Sequence, residues 1–324
     1  MSKSDPIEGA LNAIGELRGS SSERLTQELP KYLKHRSNLV VAKAAKLAGE
    51  LRVSQIVPDL VNAFDRLMKD PAKLDERGAA LTEIVAALYE LDYLEPNLYR
   101  QSLRHVQREG SYGPPVDTAA KLRGISAQGL LRTRHPRRLE EVLPLLVDLE
   151  PAARLGAVRG LATNGGDAGL LLLRLKVLTG DADPDVLGEC FSALLSAAPE
   201  PSLPFVVPFI DSDTESTAEA AIWALGETRL LAAFAVLREK WERTLDRDMR
   251  KVLLSAIAAS RLPQSLDFLY AQLRQANLQT ATDVLETLAP YAASEAITRA
   301  VHSAIEERGQ KSVMESFRQQ FRGA

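Results

Sequence analysis

The sequence predicts an all-α protein, an α-α superhelix (α-solenoid) in which about nine pairs of helices stack on one another. The repeating unit is clearest at 219–237, where apolar residues lie three, four and seven positions before Leu225. That spacing places them on one face of a helix. The same stripe recurs along the whole chain, and glycine and proline interrupt it at short intervals. A chain of 324 residues with this periodicity is typical of a repeat array.

Nine positions align with Leu225, and we call them anchors. They are Leu17, Leu47, Leu88, Leu130, Leu161, Leu194, Leu225, Ile257 and Leu288. The residue three before each anchor is apolar in every case. Successive spacings are 30, 41, 42, 31, 33, 31, 32 and 31 residues. This regularity predicts internal repeats.

A second amphipathic segment lies between anchors, as at 56–60, 139–146, 170–175, 203–209, 231–237 and 266–273. Each repeat is therefore predicted to be two antiparallel helices, with turns such as 164–167 and 198–201. We expect one solenoid over 1–324, with an N-terminal half-repeat at 5–18 and a C-terminal capping helix at 311–322. Val313, Met314, Phe317 and Phe321 would face the last repeat. The two long spacings contain extra residues at 64–77 and 108–117, which are either tolerated insertions or part of a binding edge.

Several residues resemble a known repeat. An acidic residue precedes an arginine by four in Glu150/Arg154 and in Asp246/Arg250, and Leu225-Gly226 ends a helix. An altered ending occurs at 47–49. Together they resemble the HEAT repeat, particularly the short bacterial form also called the phycobilisome-lyase-type HEAT-like repeat. The resemblance extends over roughly residues 5–322.

Three arginines, Arg123, Arg154 and Arg250, lie seven residues before their anchors. The resemblance implies that each pairs with an acidic residue of an adjoining turn and links neighbouring repeats. A binding role for these arginines is the alternative.

Composition excludes several classes of site. The net charge of −3 and the pI near 5.9 do not favour a general nucleic-acid binder. Cys190 is the single cysteine, and the four histidines show no metal-ligand spacing. We expect no catalytic residues, metal or cofactor, and therefore a chain that is not an enzyme. With no apolar leader and no membrane-spanning run, we expect a cytoplasmic monomer.

Charge is unevenly distributed. Residues 100–138 carry nine basic and two acidic side chains, whereas 140–219 carry fourteen acidic and four basic ones. Such blocks can orient a partner, or they can be solvated helix faces.

The resemblance implies that the anchor helices line a concave groove. Positions nine and two before an anchor, and two after it, point away from the apolar stripe. The candidate partner-binding residues there are Lys121, Gln128, Arg132, Arg159, Asp185, Trp223, Glu227 and Glu286. Tryptophan and arginine are frequent in interface hot spots, which makes Trp223 the leading candidate. Trp241 is expected to pack inside the protein.

The sequence therefore favours a non-catalytic scaffold or adaptor that binds another protein or peptide. One alternative is a nucleic-acid-binding protein of the DNA-repair type that uses the basic block 100–138. A second alternative, implied by the repeat resemblance, is a bilin lyase or a chaperone-like protein.

Overall fold

The computed structural model describes residues 6–111 and 113–321. Within them the chain forms twenty α-helices, several short 3-10 turns and one two-stranded hairpin. The predicted all-α class is therefore confirmed. Residue 5 of the predicted half-repeat, residue 322 of the predicted capping helix and residue 112 of the second insertion lie outside the described residues.

The chain divides into two compact units between Lys176 and Val177. The first unit contains α1 Pro6–Glu16, α2 Ser22–Leu33, α3 Asn38–Glu50, α4 Val57–Leu67, α5 Pro71–Leu74, α6 Ala79–Glu90, α7 Pro96–Leu103, β1 Arg108–Ser111, β2 Gly113–Asp117, α8 Ala120–Arg132, α9 Arg138–Val142 and α10 Pro151–Asn164. Helix α11 Gly166–Thr179 extends across the division. The second unit continues with α12 Pro184–Ala197, α13 Pro199–Val206, α14 Glu215–Glu227, α15 Leu231–Arg243, α16 Arg247–Ser260, α17 Pro263–Gln275, α18 Leu278–Leu288, α19 Glu295–Arg308 and α20 Lys311–Gln320.

All nine anchors are buried, and so is the residue three positions before each of them. Their helices pack in sequence order within each unit. In the first unit α1 contacts α3, α3 contacts α6, α6 contacts α8 and α8 contacts α10. In the second unit α12 contacts α14, α14 contacts α16 and α16 contacts α18. The apolar stripe therefore forms the core because each anchor helix buries it against the next.

One anchor is out of phase by one residue. In α3 the exposed positions are Leu39, Lys43, Lys46 and Glu50, which match the exposed face of the other anchor helices only if Ala48 is the anchor. Glycine packing supports this register. A Cβ on Gly49 would lie 2.9 Å from the Cα of Ala87, just as one on Gly226 would lie 2.9 Å from the Cα of Ala256.

The two long spacings form defined structure. In the second insertion, a loop-like stretch in the sequence, β1 and β2 form an antiparallel hairpin in which Arg108 pairs with Asp117 and Glu109 with Val116. The first insertion forms α5 and a turn at Glu76–Gly78. The insertions contact each other, because both carboxylate oxygens of Glu109 accept from Arg77 N at 2.8 and 2.9 Å. The extra length that the sequence indicates at these two places therefore takes the form of a short helix, a turn and a hairpin at one edge of the first unit.

The last helix packs its apolar side inward. Val313, Phe317 and Phe321 are buried, and α20 contacts α18 and α19. The Phe317 ring lies 4.8 Å from the Phe321 ring and 5.5 Å from the His302 ring.

Candidate binding surfaces

Trp223 stands on the outward face of α14, with 41% of its surface exposed. Glu219 lies one turn before it and Glu227 one turn after it, so both carboxylates share its face. Asp185 on α12 and Glu286 on α18 are also exposed at equivalent positions. The second unit therefore presents an aromatic ring between carboxylates, at positions that the sequence predicted to point away from the core.

Polar contacts join neighbouring helices on this face. Glu227 accepts a hydrogen bond from the Ser192 hydroxyl at 3.4 Å, and Glu286 pairs with Lys251 at 2.8 Å. Asp283 is buried and accepts from Arg247 at 2.9 Å. Burial alone would raise the pKa of Asp283, but hydrogen bonds from Arg247 and Gln279 hold that pKa below its usual value. The face thus combines fixed ion pairs with exposed carboxylates.

The candidates in the first unit differ in how far their side chains are exposed to solvent. Lys121 and Arg159 are exposed, whereas Gln128 is half-buried. Arg132 is also half-buried, because its guanidinium donates to the Tyr89 carbonyl at 2.8 Å, stacks 4.6 Å from the Tyr89 ring centre and pairs with Asp92. The structure thus gives Arg132 a packing role between α8 and the end of α6.

A groove of about 620 Å³ lies along α1, α3, α6 and α8 in the first unit. We call it the basic groove. It is lined by the cationic side chains Arg18, Lys43, Lys46, Arg77 and Lys121, by Glu50 and Glu83, and by apolar residues that include Ile14, Ala42 and Leu47. Lys121 is the one predicted site residue that lines it. The lysines of α3 were missed because alignment on Leu47 placed buried Ala45 and Gly49 at the outward positions.

Much of the basic block 100–138 is neutralised. Arg100 and Arg104 both pair with Glu141, which His135 also contacts at 3.0 Å. Burial alone would raise the pKa of Glu141, but the hydrogen bonds from His135 and Arg100 leave that pKa lowered. Arg137 pairs with Glu140. Acidic residues that follow the block therefore fold back onto it, which leaves less positive charge for phosphates than the sequence indicated.

The three arginines that precede their anchors are used in two ways. Arg123 is 4% exposed, donates to Asp148 through two bonds of 2.9 Å and reaches Asp117 at 2.7 Å. It therefore links the hairpin to the turn before α10. Arg154 donates to the carbonyls of Asp148 and Leu149 at 2.7 and 3.1 Å.

Among the described residues, no carboxylate pairs with Arg250 in this way. Its guanidinium donates to the Thr244 carbonyl at 3.1 Å and stacks 3.9 Å from the ring centre of Trp241. Trp241 is 6% exposed and meets Phe268 edge to face, as its predicted packing role requires. The resemblance implies that each arginine pairs with an acidic residue of an adjoining turn, and Arg123 does so with Asp148. Arg250 instead donates to backbone carbonyls.

An exposed apolar surface was missed by the sequence reasoning. In α11, which contains the predicted amphipathic segment 170–175, Leu171, Leu175 and Leu178 are 65%, 56% and 68% exposed. They follow one another at four and three residues and so share one helix face. Only Leu173 and Val177 of that helix are buried aliphatic residues within the described chain. The run of four leucines conceals the pattern, because both faces of the helix are apolar.

The described residues offer no recognisable metal site, and their one cysteine is buried. No group of three or more His, Cys, Asp or Glu residues there is arranged to hold a metal ion. Cys190 is buried on the core side of α12 and forms no disulfide. None of the helices in the described ranges is long and apolar enough to cross a membrane.

Comparisons with known proteins give distant structural similarity. No family model matches the chain, and no curated protein matches it. The chain resembles the complex of CpcE and CpcF of phycocyanin lyase from Nostoc sp. PCC7120 at 14% identity, covering 87% of this chain and 94% of the other, with a TM-score of 0.36. It also resembles an engineered protein at 13% identity, covering 99% and 95%, with a TM-score of 0.34. Similarity at this level assigns neither an activity nor a partner.

The expectation that the chain is not an enzyme is nevertheless contradicted, since a chain of similar helical architecture belongs to a phycocyanin lyase. The expectation rested on the lack of a recognisable catalytic motif. That reasoning fails for repeat proteins, because residues far apart in sequence can meet on one face of the stack. The architecture therefore does not exclude catalysis.

Proposed function

We propose that this chain binds another protein, and that the face around Trp223 contacts a basic segment of that partner. The observation that carries the proposal is the exposed Trp223 ring between Glu219 and Glu227, one turn away on either side. An indole ring attracts a lysine or arginine side chain through its π face, and the two carboxylates add charge attraction. Burying the ring would also remove apolar surface from water.

The remaining predicted residues of the second unit extend this surface. Asp185 and Glu286 are exposed on α12 and α18, at positions equivalent to the outward positions of α14. The charge of Asp185 favours the same class of partner and raises the rate of encounter with a basic segment, whereas Glu286 is paired with Lys251. Lys121 and Arg159, which are exposed in the first unit, would contact other parts of a partner.

Partner capture tests this proposal. Immobilised wild-type protein is exposed to a native extract, captured proteins are identified, and their affinity is then measured directly with purified components. We expect Trp223→Ala to weaken binding by ~10-fold or more, as for a hot-spot residue. Leu245→Ala is the matched control, because Leu245 is a 95% exposed apolar side chain of the same unit. Equal affinity for wild type and Trp223→Ala would disprove the proposed contact.

The alternatives predict different ligands. A bilin lyase or bilin chaperone would bind a free tetrapyrrole, which a shift of its visible absorption would reveal. A nucleic-acid-binding protein would show salt-dependent affinity for an oligonucleotide. The pairing of Arg100, Arg104 and Arg137 with carboxylates weighs against the nucleic-acid-binding alternative.

A further inference from the structure

The basic groove of the first unit carries cations that no carboxylate neutralises. Lys43 and Lys46 are exposed and form no ion pair within the described chain. The Arg18 and Lys121 side chains, by contrast, have acidic neighbours in Glu50 and Glu83. The groove therefore has a surplus of positive charge at α3.

The backbone at one wall of the groove is held in place. Arg77 has a φ of 64° and Gly78 a φ of 61°, both in the left-handed region. A non-glycine residue is uncommon there, and surrounding structure must hold it. Glu109 of the hairpin does so by accepting two hydrogen bonds from Arg77 N. The insertions thereby fix the backbone from which the Arg77 side chain extends to line the groove.

The lining also includes apolar surface. Ile14, Ala42 and Leu47 belong to the lining, although each is at least nine-tenths buried. Carboxylates of Glu50 and Glu83 belong to the same lining and would repel a continuous run of phosphates. A ligand that has separated negative charges and apolar side chains suits this combination better than a nucleic acid does.

We propose that the basic groove binds an acidic peptide segment of a partner protein, whose carboxylates pair with Lys43, Lys46 and Arg77 while its apolar side chains cover the lining. This inference rests on the proposed function in so far as the chain binds proteins. It concerns a different unit and a ligand of opposite charge. If Trp223 proved not to contact a partner, the proposal for the basic groove would therefore be unaffected.

Peptide titration by fluorescence anisotropy tests the groove directly. The probe is a labelled helical peptide of alternating Glu and Leu patches, and the comparison ligands are the same peptide with Gln for Glu and a single-stranded oligonucleotide. At low salt the acidic peptide should bind saturably and the Gln peptide at least ~10-fold more weakly, because the ion pairs are lost. No saturable binding, or tighter binding of the oligonucleotide, would overturn the proposal.

Matched variants locate the binding. Lys43→Glu/Lys46→Glu should reduce peptide affinity by at least ~10-fold, as expected when attraction becomes repulsion. Lys34→Glu/Lys69→Glu alters the net charge equally at exposed lysines outside the groove, and affinity should stay within ~2-fold if the effect is local. An equal loss in both double variants would show a nonspecific charge effect and refute the site.

A second variant blocks the groove without changing its charge. Gly15 lies in α1, and a Cβ there would have only the Lys43 Nζ atom within 4 Å, at 3.7 Å. Gly15→Phe should fold, since it removes a helix-destabilising glycine at an open position, and should fill the groove. Unchanged peptide affinity in a folded Gly15→Phe protein would contradict the proposal, whereas Trp223→Ala should leave this affinity unaltered.

Discussion

Gly226 lies so close to Ala256 that a Cβ added to the glycine would meet the alanine carbonyl oxygen at 2.4 Å. This glycine in the last turn of α14 therefore allows α16 to approach. Gly226→Ala must separate the two helices, and we expect it to lower the free energy of unfolding by ~1–3 kcal/mol. Urea unfolding monitored by circular dichroism measures this change.

Gly188→Ala is the matched control for that substitution. Its Cβ would meet the Ala220 Cβ at 3.7 Å, an ordinary contact. Since alanine favours the helix over glycine by up to ~1 kcal/mol, the control should be neutral or stabilising. If both variants unfolded alike, close helix approach would not be the reason for the glycine.

Arg123 should be the arginine whose loss most affects stability. Its guanidinium is buried between Asp117 and Asp148, so Arg123→Ala leaves two carboxylates without their partner. We expect a loss of ~3–5 kcal/mol, and incomplete rescue by lysine, which cannot form the same paired bonds. Arg137→Ala removes an arginine from an exposed pair and should leave the unfolding midpoint unchanged. Equal effects of the two alanine variants would contradict a structural role specific to Arg123.

Protonation of Asp117 should lower the free energy of unfolding as the pH falls. Burial alone would raise the pKa of Asp117, but hydrogen bonds from the Ala119 backbone and the Arg123 side chain outweigh it and leave the pKa lowered. A lowered folded-state pKa gives stability that is complete above the unfolded value of ~4 and is lost as pH falls through the folded value. The free energy of unfolding of wild type should exceed that of Asp117→Asn by less at pH 3 than at pH 7.

Urea unfolding at both pH values measures this difference in the free energy of unfolding. Asp70→Asn serves as the control, because Asp70 is exposed and its side chain forms no hydrogen bond with other described residues. Its difference from wild type should be the same at both pH values. If the difference between wild type and Asp117→Asn stayed constant with pH, protonation of Asp117 would not be linked to stability.

Leu225 and Trp223 should separate folding from binding. Leu225 is 1% exposed, so Leu225→Ala should lower the free energy of unfolding by ~2–5 kcal/mol through lost burial and a cavity. Trp223→Ala should lower it less, because the ring is 41% exposed, while weakening partner binding. Thermal unfolding and partner affinity, measured on both variants, distinguish the roles. Equal thermal destabilisation would mean that Trp223 is part of the scaffold.

The candidate surfaces could be predicted only in part. The rule that residues beside the apolar stripe point outward placed Trp223, Glu227 and Lys121 on exposed faces, because helix geometry alone decides this. It failed in α3, where a leucine at the neighbouring position displaced the true anchor, Ala48, and hid the lysines of the basic groove. The exposed leucines of α11 were not predicted either, since consecutive leucines carry no periodicity.

The sequence by itself determined the class of fold and the buried rows of the anchor helices, because both follow from a local repeat of apolar residues. Tertiary structure alone decided which charges remain available. Arg132 and Arg100 lie in the basic block, yet they are held by groups about 40 residues away in sequence, Tyr89 and Glu141. Such pairing depends on which turns the stacked helices bring together, and no local pattern contains that information. The basic groove arises for the same reason, since its lining comes from four helices and an insertion.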